Sequence, residues 1–233
     1  TLNPLLTGFT ITGNAAGSDK FGYSVSTAAD INDDGYDDVI IGAYGTGLVY
    51  VVYGGKKSSL SNLNVLTLNP LATGFTIKGN TASDSFGISV STAGDINNDG
   101  YDDIIIGAST KSGSTGAAYV IYGGPKSPSL NIDLSSSSLN HLTTGFLITQ
   151  SVPLMFLGRW VSTAGDIDND GFDDIIIGSH GYSSNKGAAY VIYGGPKSTM
   201  TNIVLSTQTL DPLTTGFILK GNAAGDQFGY AVS

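Results

Sequence analysis

Three short stretches hold most of the acid in this chain. Fourteen of its 19 acidic residues fall at 30–38, 95–103 and 166–174, and all 19 are Asp, with no Glu. Each stretch reads D-x-[ND]-x-D-G-[YF]-D-D. Positions one, three, five and nine are Asp30, Asn32, Asp34 and Asp38 in the first, and Asp95, Asn97, Asp99 and Asp103 in the second. In the third they are Asp166, Asp168, Asp170 and Asp174. Alternate positions of a tight loop point inward, so four side chains offer oxygen to one ion. Gly35, Gly100 and Gly171 at position six permit the sharp turn, and the carbonyls of Tyr36, Tyr101 and Phe172 at position seven can face the same ion. Hard oxygens without His or Cys select calcium over zinc or copper, so three Ca²⁺ sites are expected.

Two other readings of these loops fare worse. An EF-hand needs flanking helices and a Glu at position twelve, where this chain has Ile41, Ile106 and Ile177. Plain turns also favour Asp, Asn and Gly, but three copies in one ligand register exceed what turns require. Asp37, Asp102 and Asp173 at position eight suit capping of the turn or support of the ligands. Catalysis rarely needs three equal sites, and no catalytic residue is assigned.

The elements that must position these loops repeat with them. FGYSVSTAADINDDGYDDVIIGA at Phe21 matches FGISVSTAGDINNDGYDDIIIGA at Phe86 and LGRWVSTAGDIDNDGFDDIIIGS at Leu157, and FGYAVS opens a fourth copy at Phe228. The copies start 65, 71 and 71 residues apart. In each, a strand precedes the Asp loop and a β-branched run such as DIIIGA follows it. Next come LVYVVYGG or AAYVIYGG, a polar serine-rich connector, and a last strand, GFTIKG, GFLITQ or GFILKG. No segment shows sustained helical periodicity. Four strands per repeat predict an all-β chain, a β-propeller of four-stranded blades with long outer connectors. The expected frame is a last strand and link at 1–20, blades at 21–85, 86–156 and 157–227, and a first strand of the next blade at 228–233. Three blades cannot close a ring, so the missing part is further chain or another molecule.

Composition excludes several classes. The formal charge is −9 with ten Lys plus Arg, which argues against nucleic-acid binding. The chain has no Cys, so disulfides, thiolate metal sites and Cys nucleophiles are out. No apolar stretch reaches the length of a membrane span, the N-terminal TLNPLL shows no leader pattern, and no N-x-[ST] sequon occurs.

Phe21-Gly22, Phe86-Gly87 and Phe228-Gly229, each placed before the Asp loop or at the start of a copy, together with Gly42-Ala43 and Gly107-Ala108, resemble FG-GAP repeats. The likeness covers essentially the whole chain. It implies the seven-bladed propeller of integrin α chains and related surface proteins. It also implies structural metal loops on the face opposite the usual ligand-binding surface. Two departures stand out: the Pro of "GAP" is absent, and the third copy has Leu157-Gly158 for Phe-Gly, preceded by Gln150–Phe156.

Arg159 and Trp160, the only Arg and the only Trp, sit side by side in that altered copy. They read either as an interaction site or as local repacking. Tyr50, Tyr53, Tyr119, Tyr122, Tyr190 and Tyr193 are expected to pack between blades, and His141 and His180 to be ordinary surface or loop residues. The expected function is a non-enzymatic, calcium-stabilised, extracellular or cell-surface propeller for adhesion or protein binding. Its partner would be a protein, or further copies or the remainder of the same chain. The alternatives are a structural unit of a surface filament or sheath, and a non-catalytic propeller of a larger secreted enzyme.

Overall fold

A computed structural model describes residues 8–14 and 17–233. The expected β-branched runs become strands β3 (Asp38–Ala43), β8 (Asp103–Ala108) and β13 (Asp174–Ser179). Each lies antiparallel between the strand before its loop and the strand after it. The preceding strands are β2 (Phe21–Ala29), β7 (Phe86–Gly94) and β12 (Val161–Gly165), and the following ones are β4 (Leu48–Val52), β9 (Ala117–Ile121) and β14 (Ala188–Ile192). The last strands β6 (Gly74–Lys78), β11 (Gly145–Thr149) and β16 (Gly216–Lys220) then pair antiparallel with β4, β9 and β14. Three blade-like sheets of four antiparallel strands result.

Short strands inside the polar connectors extend the pattern. They are β5 (Leu63–Asn64), β10 (Ile132–Asp133) and β15 (Ile203–Val204). Each runs parallel to the last strand of the sheet before it: β5 with β1 (Ile11–Thr12), β10 with β6, and β15 with β11. An Asn fixes each seam, because the Oδ1 atoms of Asn62, Asn131 and Asn202 accept the backbone N–H groups of Thr10, Thr76 and Leu147 at 2.8–2.9 Å. The first two sheets thus gain a fifth strand from the next repeat.

Alternation along each strand builds the core between sheets rather than within one. In β8, Ile104 and Ile106 pack toward the first sheet with Ile40, Val51, Tyr53 and Phe75. Ile105 packs the other way, with Val161, Ile175 and Ile177 of the third. In β9, Tyr119 and Ile121 share the first cluster while Ala118 and Val120 share the second. All of these β8 and β9 side chains are buried. This is the period-2 signature of a sheet covered on both faces, and it places Tyr53 and Tyr122 between blades as expected.

The altered third copy and the terminal segment are less regular. β12 has five residues against nine in β2 and β7. Leu157 makes only a single parallel bridge, to Gly116. Residues 228–233, expected as a first strand, contribute one bridge between Phe228 and Gly187 and no strand. Among the described residues no helix is long and apolar enough to cross a membrane.

Candidate metal centres

Each Asp loop bridges the first and second strands of its sheet, so a rigid hairpin carries it. In the first loop both carboxylate oxygens of Asp30 accept backbone hydrogen bonds, from the N–H of Asp34 at 2.9 Å and of Gly35 at 2.7 Å. The Nδ2 of Asn32 donates to Asp38 Oδ2 at 2.8 Å. Asp38 Oδ1 accepts the N–H of Gly54 at 2.8 Å, which ties the loop to the end of β4. The second loop repeats this set with Asp95, Asn97, Asp103 and Gly123. In the third, Asp166 accepts the N–H groups of Asp170 and Gly171, and Asp174 accepts those of Ile167 and Gly194. Gly35, Gly100 and Gly171 have φ of 86°, 88° and 92°, a left-handed conformation that a side chain resists.

Positions three and nine therefore meet in the first two loops, and in the third loop position one joins them. Oxygens of Asp166, Asp168 and Asp174 lie within 4.8 Å of one another. Position five has partners of its own: Asp34 Oδ1 caps the N–H of Tyr36 while Oδ2 meets Lys126 Nζ at 2.6 Å. Asp99 repeats this with Tyr101 and Lys197. Asp170 caps the N–H of Phe172.

Two buried atoms make the strongest test of whether a cation fits. Asn32 and Asn97 are 8% and 6% exposed, and the Oδ1 atom of each is buried without a hydrogen-bond partner. A buried carbonyl oxygen with no donor costs free energy, and a hard cation among carboxylates is the group that would satisfy it. The same burial acts on the position-nine acids. Asp38 is pushed up to about 6 and Asp103 to about 8, first by loss of water, with Asp34 and Asp30 or Asp99 and Asp95 adding repulsion. Asp174 is raised for the same first cause. Neutralisation by a divalent ion would relieve all three.

Position eight acts between blades. Asp102 Oδ2 accepts the N–H of Asp30 at 3.0 Å, and Asp173 Oδ2 accepts the N–H of Asp95 at 2.9 Å. The expected capping role is present, but the turn that is capped belongs to the preceding blade. Asp37 is exposed.

Arg159 and Trp160 lie in a separate aromatic cluster. An Arg159 Nη2 hydrogen donates to the Tyr23 hydroxyl at 3.4 Å, and the guanidinium carbon stands 6.0 Å from the Trp160 ring centroid and 5.8 Å from that of Tyr230. His180, expected to be an ordinary surface or loop residue, is half-buried and stacks on Phe156 at 4.9 Å beside Tyr230 at 5.3 Å. Burial, then the charge of Arg159, lowers its pKa. The cue in the sequence was register: Tyr23, Ile88, Arg159 and Tyr230 each stand two residues after the start of a copy.

Comparison with known proteins finds the same repeats. The FG-GAP repeat family model matches residues 21–52, 86–121 and 157–192. Integrin alpha-PS2 of Drosophila melanogaster is 30% identical over 191 residues, covering 76% of this chain and 12% of the relative. Phosphatidylinositol-glycan-specific phospholipase D of Bos taurus is 29% identical over 226 residues, 88% of this chain and 24% of that protein. Integrin alpha-6 of Gallus gallus is 28% identical over 168 residues, 69% and 13% respectively. The chain thus spans a quarter or less of these relatives. Each match starts at the first residue of a copy and ends in the third strand of a sheet, so the chain carries three FG-GAP repeats.

Proposed function

We propose that the chain is part of a calcium-stabilised, integrin-α-like β-propeller that acts in adhesion or protein binding at the cell surface. The observation that carries the calcium reading is the unpartnered, buried Oδ1 of Asn32 and of Asn97 among convergent carboxylates. Asp30, Asn32, Asp34, Asp38 and the Tyr36 carbonyl would hold the first ion. Asp95, Asn97, Asp99, Asp103 and the Tyr101 carbonyl would hold the second, and Asp166, Asp168, Asp170, Asp174 and the Phe172 carbonyl the third. A bound ion offsets two of each loop's negative charges and fixes its hairpin, a structural rather than catalytic role. Loops of this oxygen count in extracellular modules bind calcium at about 10⁻⁴–10⁻³ M, a range filled outside the cell.

The blades at 21–85, 86–156 and 157–227 would belong to one propeller domain of seven blades, framed by residues 1–20 and 228–233. Arg159 and Trp160, with Tyr23 and Tyr230 beside them, are the proposed contact point for a protein partner. The match to a phospholipase D over 88% of the chain favours a second reading, a non-catalytic propeller of a larger secreted enzyme.

Isothermal titration with CaCl₂ tests the calcium reading. Three equivalents per chain are expected, and no heat up to about 10 mM calcium would sink it. Beads coated with the protein should then be retained by cells in calcium and released by chelator. Retention in neither condition removes the adhesion reading and leaves the enzyme-associated one.

A further inference from the structure

Around the Asp loops, the two junctions between complete blades repeat three contacts. At the first, Asp102 accepts the N–H of Asp30 at 3.0 Å, the N–H of Gly124 donates to the Ile31 carbonyl at 2.9 Å, and Lys126 Nζ pairs with Asp34 at 2.6 Å. At the second, Asp173 accepts the N–H of Asp95 at 2.9 Å, Gly195 donates to the Ile96 carbonyl at 2.9 Å, and Lys197 pairs with Asp99. Every one of these partners belongs to the following blade. The lysines also lie over rings of the preceding blade, Lys126 at 4.6 Å from the Tyr53 centroid and Lys197 at 4.8 Å from that of Tyr122.

Loop positions one, two and five are therefore gripped from outside the loop, by an acid, an amide and an ammonium group. The third loop has no such set around it among the described residues. Its position-two residue Ile167 is 47% exposed, whereas Ile31 and Ile96 are 2% and 0% exposed. Asp168 is exposed where Asn32 and Asn97 are buried.

We infer that the first and second cation sites are bipartite: one blade supplies the ligands, and the next supplies a clasp of Asp and Gly that holds them in place. The inference rests on the calcium reading above. Asp102 and Asp173 are positioning residues, because each holds the amide of the position-one ligand. Asp30 presents both oxygens inward only while its own backbone is fixed, and that fixation comes from the neighbour. Cation affinity and blade docking then favour each other equally, as linkage requires. A cation at the first loop tightens the junction of the first and second blades, and a loosened junction weakens the cation.

Nuclear magnetic resonance of the full chain titrated with CaCl₂ separates the loops. The amides of Gly35, Gly100 and Gly171 each donate to the position-one carboxylate of their own loop, at 2.7, 2.8 and 3.0 Å. Asp102→Ala should raise the calcium midpoint read at Gly35 by about tenfold, within the usual span of coupling between sites. It should move the midpoint at Gly100 less, although Asp102 adjoins the second loop's own ligand Asp103. Asp102→Asn keeps an oxygen for the Asp30 amide and should restore most of the affinity. Unaltered protein supplies a second readout: calcium should slow exchange of the Asp30 and Gly124 amides. An unmoved Gly35 midpoint in Asp102→Ala, equal losses in the Ala and Asn variants, or exchange at Gly124 indifferent to calcium would overturn the clasp. A loop glycine set that never responds to calcium would overturn the calcium reading, and the clasp with it.

Discussion

Gly107 in the second blade stands directly against the carbonyl oxygen of Gly158 in the third, so close that a methyl group on Gly107 would overlap it. Gly42 meets Gly87 in the same way, and Gly178 meets Gly229. The two glycines of the repeat signature are thus partners across a junction, the one after the Asp loop with the one that opens the next copy. The opening glycines Gly87 and Gly158 also have φ of 83° and 76°. The hydroxyl groups of Ser24 and Ser89 donate to the Gly87 and Gly158 carbonyls at 2.8 and 3.0 Å, which fixes the same approach.

Gly107→Ala should therefore force the second and third blades apart. Overpacking of this kind costs roughly 1–3 kcal/mol, and a backbone oxygen that cannot rotate away puts this site at the upper end. Denaturant melts would show it as a lower midpoint. A stability equal to that of the unaltered protein would refute the close approach.

Calcium removal should lower the melting temperature. At a concentration of 100 Kd one site adds about 2.7 kcal/mol, which for a chain of this size corresponds to roughly 5–10 °C. Scanning calorimetry in calcium and in chelator measures it. Asp103→Ala should remove the share of the second loop, and equal shifts in the variant and the parent would count against binding there.

The chelated protein should respond to pH in a direction unusual for carboxylates. Burial raises Asp38 to about 6 and Asp103 to about 8, from an ordinary value of 3.8. The folded form then holds protons that the unfolded chain has released. Its stability from these groups is fully present below about pH 4 and is lost as pH rises through about 6 and then about 8. Calcium takes the place of those protons, so the decline should flatten when it is added. Melts in chelator that rise steadily from pH 5 to 8 would contradict the burial of these acids.

Lys126→Met should matter more without calcium than with it. Lys126 offsets the charge of Asp34 and lies over Tyr53, and Met retains the apolar contact alone. An exposed ion pair and a cation–π contact are each worth about 0.5–1 kcal/mol, so a loss of roughly 2–8 °C is expected in chelator. Lys57→Met is the control, since Lys57 occupies the same position of the first blade and pairs with no acid among the described residues. Equal losses in the two variants would show that net charge, not the pairing, was measured.

Much of this was legible from residue order. The strands around each loop announce themselves through DVIIGA and DIIIGA, long enough for β-branched runs to be read without alternation. Loop register alone predicted that positions one, three, five and nine converge; Asp166, Asp168 and Asp174 do come together, while Asp34 and Asp99 meet lysines of the next blade. The parallel strands at Leu63–Asn64, Ile132–Asp133 and Ile203–Val204 did not show, because two residues in a polar connector carry no period. Their signal was Asn62, Asn131 and Asn202, each just before an aliphatic residue. The clasp was hidden for a different reason. Asp102 looks like part of its own loop and Lys126 like a connector charge, and only the stacking of sheets sets both against residues about 70–90 positions earlier.

The parallel seams bear on how such an array carries load. Each connector lays its short strand along the outer edge of the previous sheet before the chain returns to build the next one. Tension applied along the polypeptide would pull β10 lengthwise past β6, and β15 past β11, so their bonds and the Asn131 and Asn202 clamps would be strained together rather than one after another. Shear of that kind resists force better than unzipping. The connectors, the least ordered-looking part of each repeat in sequence, would then be what keeps neighbouring blades from peeling apart under a pull.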